Sequence, residues 1–210
     1  PHMLPKKEKF IRFLKNNGIT PDNDIVIYDQ IGFFCSSRVW FTFSYYNFKS
    51  IKILNGGIKY WNENNFVISR KKKTYLKKQK IELIEKKMMV VNQGYVKKKI
   101  NDKNTLIIDA RPKKRFLGLE EEPRKNLKKG NIPGSINIPF TTLVDKKGRF
   151  LSKSILKKKF GEHVKFSMIK EVICTCGSGV TACNIIFGLN LLGVQNLKLY
   201  DGSWAEWGKK

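Results

Sequence analysis

Acidic residues are scarce in this chain, cysteines are few, and no long apolar run is present. No hydrophobic stretch approaches the roughly 20 residues that cross a bilayer as a helix, and no secretory leader opens the chain. A membrane partner is therefore not expected. Four cysteines among 210 residues are too few and too unevenly placed for a disulfide framework, which points to a reducing, cytoplasmic setting. Only 17 Asp and Glu stand against 42 Lys and Arg, giving a formal net charge of +25. That excess invites a nucleic-acid partner. However, it is mostly lysine and scattered, as in Lys71-Lys72-Lys73, Lys97-Lys98-Lys99 and Lys157-Lys158-Lys159. The helix-turn-helix, finger and aromatic RNA-binding patterns that place side chains on bases are all lacking. No specific nucleic-acid role is expected, only weak polyanion binding and a positive field that steers small anions inward.

What is present is a real core. Hydrophobic residues make up 41% and aromatics 12%, enough for one large domain or two small ones. The most informative stretch is Val172-Ile173-Cys174-Thr175-Cys176-Gly177-Ser178-Gly179-Val180-Thr181-Ala182-Cys183. A β-branched run, two glycines in three residues and then a helical apolar period describe a strand turning tightly into a helix. Cys176 falls at the turn, where the first N–H groups of the helix lack partners and favour an anion. Gly177 and Gly179 allow the main chain to curl into a nest of N–H groups able to hold a thiolate or a persulfide. The competing reading is a buried apolar cysteine, the commonest fate of a free thiol.

Two related chemistries fit less well. Cysteine-dependent phosphatases need an arginine six residues after the cysteine to grip phosphate, and that position is Ala182. Zinc would require paired cysteine spacing, whereas Cys174, Cys176 and Cys183 fall on a strand, a loop and a helix. Cys174 is expected to point into the core.

Earlier in the chain, residues 6–17 have helical apolar spacing with Phe10, Phe13 and Leu14 on one side, stopped by Gly18. Residues 24–29 form a buried-strand pattern, 38–48 an aromatic helix, and 50–54 a second strand before Asn55-Gly56-Gly57 turns the chain toward Trp61. Residues 62–89, including the basic run at 70–75, lack core signal and are predicted to be a linker lying partly on the surface. From Val90 onward, strands are predicted at 105–109 and 171–175, and helices at 93–100, 154–160 and 180–192. Arg115 and Arg124 follow the first of these strands, where open α/β sheets bind ligands. Most such pairs are solvated surface charges, but guanidinium forks suit a carboxylate.

The string Cys176-Gly177-Ser178-Gly179-Val180-Thr181-Ala182 resembles the active-site loop of the two-domain rhodanese-superfamily sulfurtransferases, specifically the 3-mercaptopyruvate branch. The resemblance extends to Gly130-Asn131-Ile132-Pro133-Gly134, to Tyr200-Asp201-Gly202-Ser203-Trp204, and to the Tyr28-Asp29, Ser37-Arg38-Val39-Trp40 and Gly56-Gly57 segments. It implies an α/β fold with rhodanese-like parallel sheets flanked by helices. A partial non-catalytic domain over residues 1–61 would precede the linker at 62–89 and a complete catalytic domain at 90–210. With the first half of the N-terminal domain absent, exposed strand edges and uncovered aromatic faces are expected. Cys35 falls in the family's inactive pseudo-site and is expected to be structural.

By the same resemblance, Cys176 takes sulfur as a persulfide and Arg115 and Arg124 hold the donor's carboxylate. Gly177, Gly179, Val180 and Thr181 supply the nest, and Ser178 assists proton transfer. The implied donor is 3-mercaptopyruvate, less readily thiosulfate, because the loop is uncharged. The implied acceptor is a thiol, such as thioredoxin or a small thiol, or cyanide, and no metal or organic cofactor is required. In the family the serine works with an aspartate and a histidine from the first half of the N-terminal domain. Neither His2 nor His163 is expected at that place, which leaves a persulfide carrier or partner-binding module as the alternative function. Pro1-His2-Met3 has the look of a vector remnant, although Pro-His-Met-Leu-Pro also resembles a segment midway through the family's first domain.

Overall fold

The structure is a computed structural model that describes residues 2–30, 32–69, 80–163 and 168–210. The basic run expected on the linker at residues 70–75 lies outside the described residues. Two parallel sheets are present among those described. The smaller pairs β1 (Ile25–Ile27) with β2 (Ile51–Ile53). The larger contains β3 (Val90–Val91), β4 (Thr105–Asp109), β5 (Ile136–Asn137), β6 (Glu171–Thr175) and β7 (Leu197–Tyr200). Its strand order is β3-β7-β6-β4-β5, and every pairing is parallel.

Local sequence accounts for the helices between these strands. Helix α1 (Lys7–Asn16) buries Phe10 and Leu14 on one side, and the chain leaves it through Gly18 at positive φ. Helices α2 (Ser36–Tyr45) and α3 (Gly57–Glu63) flank the small sheet. Helix α4 (Gln93–Lys99) is capped by Asn92, whose side chain accepts the N–H of Tyr95 at 2.9 Å. Short α5 (Lys113–Phe116), α6 (Lys153–Gly161), α7 (Ala182–Leu191) and α8 (Ser203–Trp207) complete the order. Among the described residues no helix is long and apolar enough to cross a membrane.

Strands β4 and β6 are buried on both faces, as parallel sheets covered by helices require. Leu106, Ile108, Val172 and Cys174 face one layer, while Ile107 and Ile173 face the other with Val96, Ile132 and Trp204. The first layer is continuous with the core around the small sheet, running through Phe41, Phe43 and Leu14. The aromatic faces expected to lie open are thus largely covered. Phe10 stacks on Tyr46 at 4.7 Å, Trp40 meets Phe187 of α7 edge-on at 5.1 Å, and Phe33 packs against Phe150. Exposed apolar side chains remain at Val26 and Tyr28 near β1, and at Phe13, Phe34 and Phe66. The far end of the stretch expected to be a linker contributes as well, since Ile81 and Leu83 are buried in the same cluster.

Candidate active site

Strand β6 is central in its sheet, and the chain leaves its carboxyl end through Cys176 toward α7. Helix α8 grips this turn from below. Trp204 and Ala205 donate their N–H groups to the carbonyls of Cys176 and Gly177, each at 2.9 Å, and Ser203 Oγ accepts the N–H of Cys176 at 3.2 Å. The N–H groups of Gly177, Ser178, Gly179, Val180 and Thr181 donate to no acceptor among the described residues, an arrangement suited to an anion. Gly179 permits the curl at φ +79°, and an added Cβ there would lie 2.9 Å from the carbonyl oxygen of Asp201.

The turn opens into a cleft of about 520 Å³ lined by Cys176, Gly177, Ser178, Val180 and Thr181 together with Arg115 and Arg124. The two arginines predicted from sequence therefore converge on the loop. A Cβ on Gly177 would sit 3.1 Å from Arg115 Nη2 and 3.8 Å from Arg124 Nη1. Arg115 is held by Glu122, to which it donates from both Nε and Nη2. Glu122 also accepts from Arg111 Nη1 at 2.7 Å. Arg111 is almost fully buried; it donates to Asp109 and to the Gly130 carbonyl, and its guanidinium lies 4.2 Å from the Trp204 ring. A carboxylate–arginine framework thus supports the cleft-lining Arg115. Asn131 anchors the same wall by donating to the Phe116 carbonyl at 3.0 Å.

One expectation is overturned. His2 Nδ1 lies 2.9 Å from Ser178 Oγ, across a sequence separation of 176 residues. Residues 2–5 are part of the fold: Leu4 N–H donates to Asp201 Oδ2 at 2.8 Å, and the Pro5 carbonyl accepts from Tyr46 Oη at 2.7 Å. Arg124 Nη2 stands 3.4 Å from the same imidazole nitrogen. A guanidinium can only donate, so the Arg124 contact favours the tautomer that leaves the Nδ1 lone pair free, in which Ser178 donates its hydroxyl proton. His163 lies in a separate cavity beside Lys113 and Lys159.

The cysteines separate by environment. Cys174 is buried, and burial pushes its thiol well up, with Cys183 and Cys176 adding to the effect. Burial likewise raises Cys183 to about 12, opposed in part by Arg38. Cys35 is exposed and lines the cleft, where burial and the Asp29 carboxylate raise its pKa. It is not a core residue, as a structural role would suggest. Sequence inspection missed His2, Glu122 and Arg111 as members of this site. Only the Pro-His-Met-Leu-Pro string carried a signal for the first of them.

Comparison with known proteins identifies a family and a fold. A family model for the rhodanese-like domain covers residues 1–64 and 92–210. The 3-mercaptopyruvate sulfurtransferase of Rattus norvegicus is 33% identical over 208 residues, spanning 98% of this chain and 69% of the relative. That of Escherichia coli K12 is 34% identical over 217 residues, spanning 100% of this chain and 74% of the relative. The crystal structure of SseA from Escherichia coli superposes with a TM-score of 0.83 at 32% identity, covering 97% of this chain and 75% of that one. The chain belongs to the rhodanese family, in the branch of the 3-mercaptopyruvate sulfurtransferases.

Proposed function

We propose that the chain moves a sulfur atom from 3-mercaptopyruvate, through a persulfide on Cys176, to a thiol such as thioredoxin or a small thiol, or to cyanide. The observation that carries this reading is the convergence of Cys176, Arg115, Arg124 and the Ser178–His2 pair on one cleft, beside a loop whose N–H groups at residues 177–181 find no acceptor among the described residues. Arg115 and Arg124 bind the donor's carboxylate and carbonyl oxygens. The Cys176 thiolate attacks the donor's sulfur; the S–S bond forms as the C–S bond breaks, and the electron pair departs into the enolate of pyruvate. The donor's thiol proton passes through the Ser178 hydroxyl, steadied by His2 Nδ1, to the enolate carbon. The outer sulfur, now anionic, rests against the N–H groups of residues 177–181 until an acceptor thiolate attacks it.

Thiosulfate is the weaker donor in this reading, because residues 177–181 bring no cation to balance the charge of its sulfonate. Residues 90–210 form the catalytic unit, and residues 2–5 lend it the histidine. Four free cysteines support a reducing, cytoplasmic setting. The test is pyruvate release from 3-mercaptopyruvate with a thiol acceptor, run for the parent chain and Cys176→Ser, with thiosulfate alongside. Turnover with 3-mercaptopyruvate that vanishes in the variant supports the reading. A folded parent that releases no pyruvate refutes it in favour of a persulfide carrier.

A further inference from the structure

We propose that Arg38, on the first turn of α2, is a positioning residue that sets the His2–Ser178 contact. The proposal rests on the sulfur-transfer reading given above. His2 is itself exposed, so packing does not fix its imidazole opposite Ser178. What holds it is the backbone on which it sits. Arg38 Nη2 donates to the His2 carbonyl at 2.7 Å. From the other side of the same fork, Nη1 donates to the Gly179 carbonyl at 3.1 Å, one residue beyond Ser178. A single planar guanidinium therefore ties together the two chain segments that carry the two partners. Those segments are separated from Arg38 by 36 and 141 residues, and no local turn could bring them into register.

The fork is itself fixed. Asp201, at the end of β7, lies 2.7 Å from Arg38 Nη2 through Oδ1, and through Oδ2 accepts the N–H of Leu4, two residues beyond His2. Arg38 is 9% exposed and the Asp201 side chain 5%. The geometry is then closed: α2 supplies the fork, β7 orients it, and its donors reach the histidine segment and the active loop at once. Lysine could preserve the charge opposite Asp201, but a single ammonium lacks the rigid fork that spans both carbonyls.

The experiment uses Arg38→Lys, which keeps Asp201 paired and the chain folded. Steady-state pyruvate release should show kcat lowered by about 10- to 100-fold, the penalty expected for a misplaced catalytic group, with the KM for donor little changed. His2→Gln should behave alike. Combining the two substitutions should slow the enzyme no further than His2→Gln alone, because Arg38 acts through His2. Losses that multiply in the double variant, or a KM effect in place of a kcat effect, overturn the proposal.

A second readout does not depend on turnover. The chain has two histidines, so ¹⁵N-histidine spectra resolve His2 with His163 as an internal reference. In Arg38→Lys the His2 resonances should move toward those of a free imidazole while His163 stays in place. Unchanged His2 resonances overturn the proposal even if activity falls. Should the parent chain prove inactive, the sulfur-transfer reading fails, and these spectra still decide what Arg38 does.

Discussion

Replacing Glu122 with glutamine tests the support beneath the arginines proposed to bind the donor. Glu122 accepts from Arg111 at 2.7 Å and from two nitrogens of Arg115, and its side chain is 3% exposed. With Asp109, these residues make a set of two carboxylates and two guanidiniums whose charges cancel. Glutamine leaves the set with one uncompensated positive charge and a single acceptor oxygen for three donors. Removing one partner of a buried ion pair costs about 3–5 kcal/mol. Arg111 keeps Asp109 and Arg115 is partly reached by water, so the lower end, about 3 kcal/mol, applies. For a chain of this size that corresponds to a fall in Tm of about 6–12 °C. Arg115 also loses the carboxylate that orients it, so the KM for 3-mercaptopyruvate should rise while kcat is nearly retained. Circular-dichroism melting and steady-state kinetics read both effects. A Tm within about 2 °C of the parent, which at this chain length means no more than about 1 kcal/mol, together with an unchanged KM would refute the reasoning.

Gly179→Ala should be worse for activity than for stability. The left-handed backbone at that residue costs a non-glycine about 1–2 kcal/mol, a modest change in Tm, but the new Cβ meets the Asp201 carbonyl and must push the loop out of its nest. Persulfide formation, followed by mass spectrometry, should fall far more than melting predicts; normal formation would count against a nest that depends on this curl. Alkylation with iodoacetamide near neutral pH provides a pH test. Cys174, Cys183 and Cys35 have pKa values raised above the ordinary thiol range, so they hold their protons there and should remain largely unmodified in the folded chain. As pH climbs, exposed Cys35 should gain label while Cys174 and Cys183 wait for unfolding. Peptide mapping that finds either buried residue alkylated in the folded chain at neutral pH would contradict this ordering.

Sequence pattern carried the strands and helices around the active loop well, because β4 and β6 are short continuous apolar runs bounded by polar turns and α7 follows a glycine-rich curl. The Cys176 loop stood out from its own residue types, whereas the Arg115–Arg124 pair stood out only by resemblance, since residue types alone leave such a pair as solvated surface charge; the structure brings both arginines to the loop. His2 was not legible. Its partner is 176 residues away, and nothing local distinguishes a terminal Pro-His-Met from an unstructured remnant. Glu122 stood out only as one of three consecutive glutamates, and just the structure separates it, buried on two arginines, from Glu121 on the surface. The covering of the aromatic faces was equally hidden, since it depends on α7 and residues 81–83 packing against α2 and its neighbours from far along the chain.

The most direct test of the account is a single turnover without acceptor. One equivalent of 3-mercaptopyruvate is added to the reduced chain, pyruvate is quantified, and the protein is mapped by mass spectrometry. The account predicts one added sulfur atom on Cys176 for each pyruvate released, and neither product from Cys176→Ser. Pyruvate released with no sulfur on Cys176, or sulfur residing on Cys35, Cys174 or Cys183 instead, would contradict it.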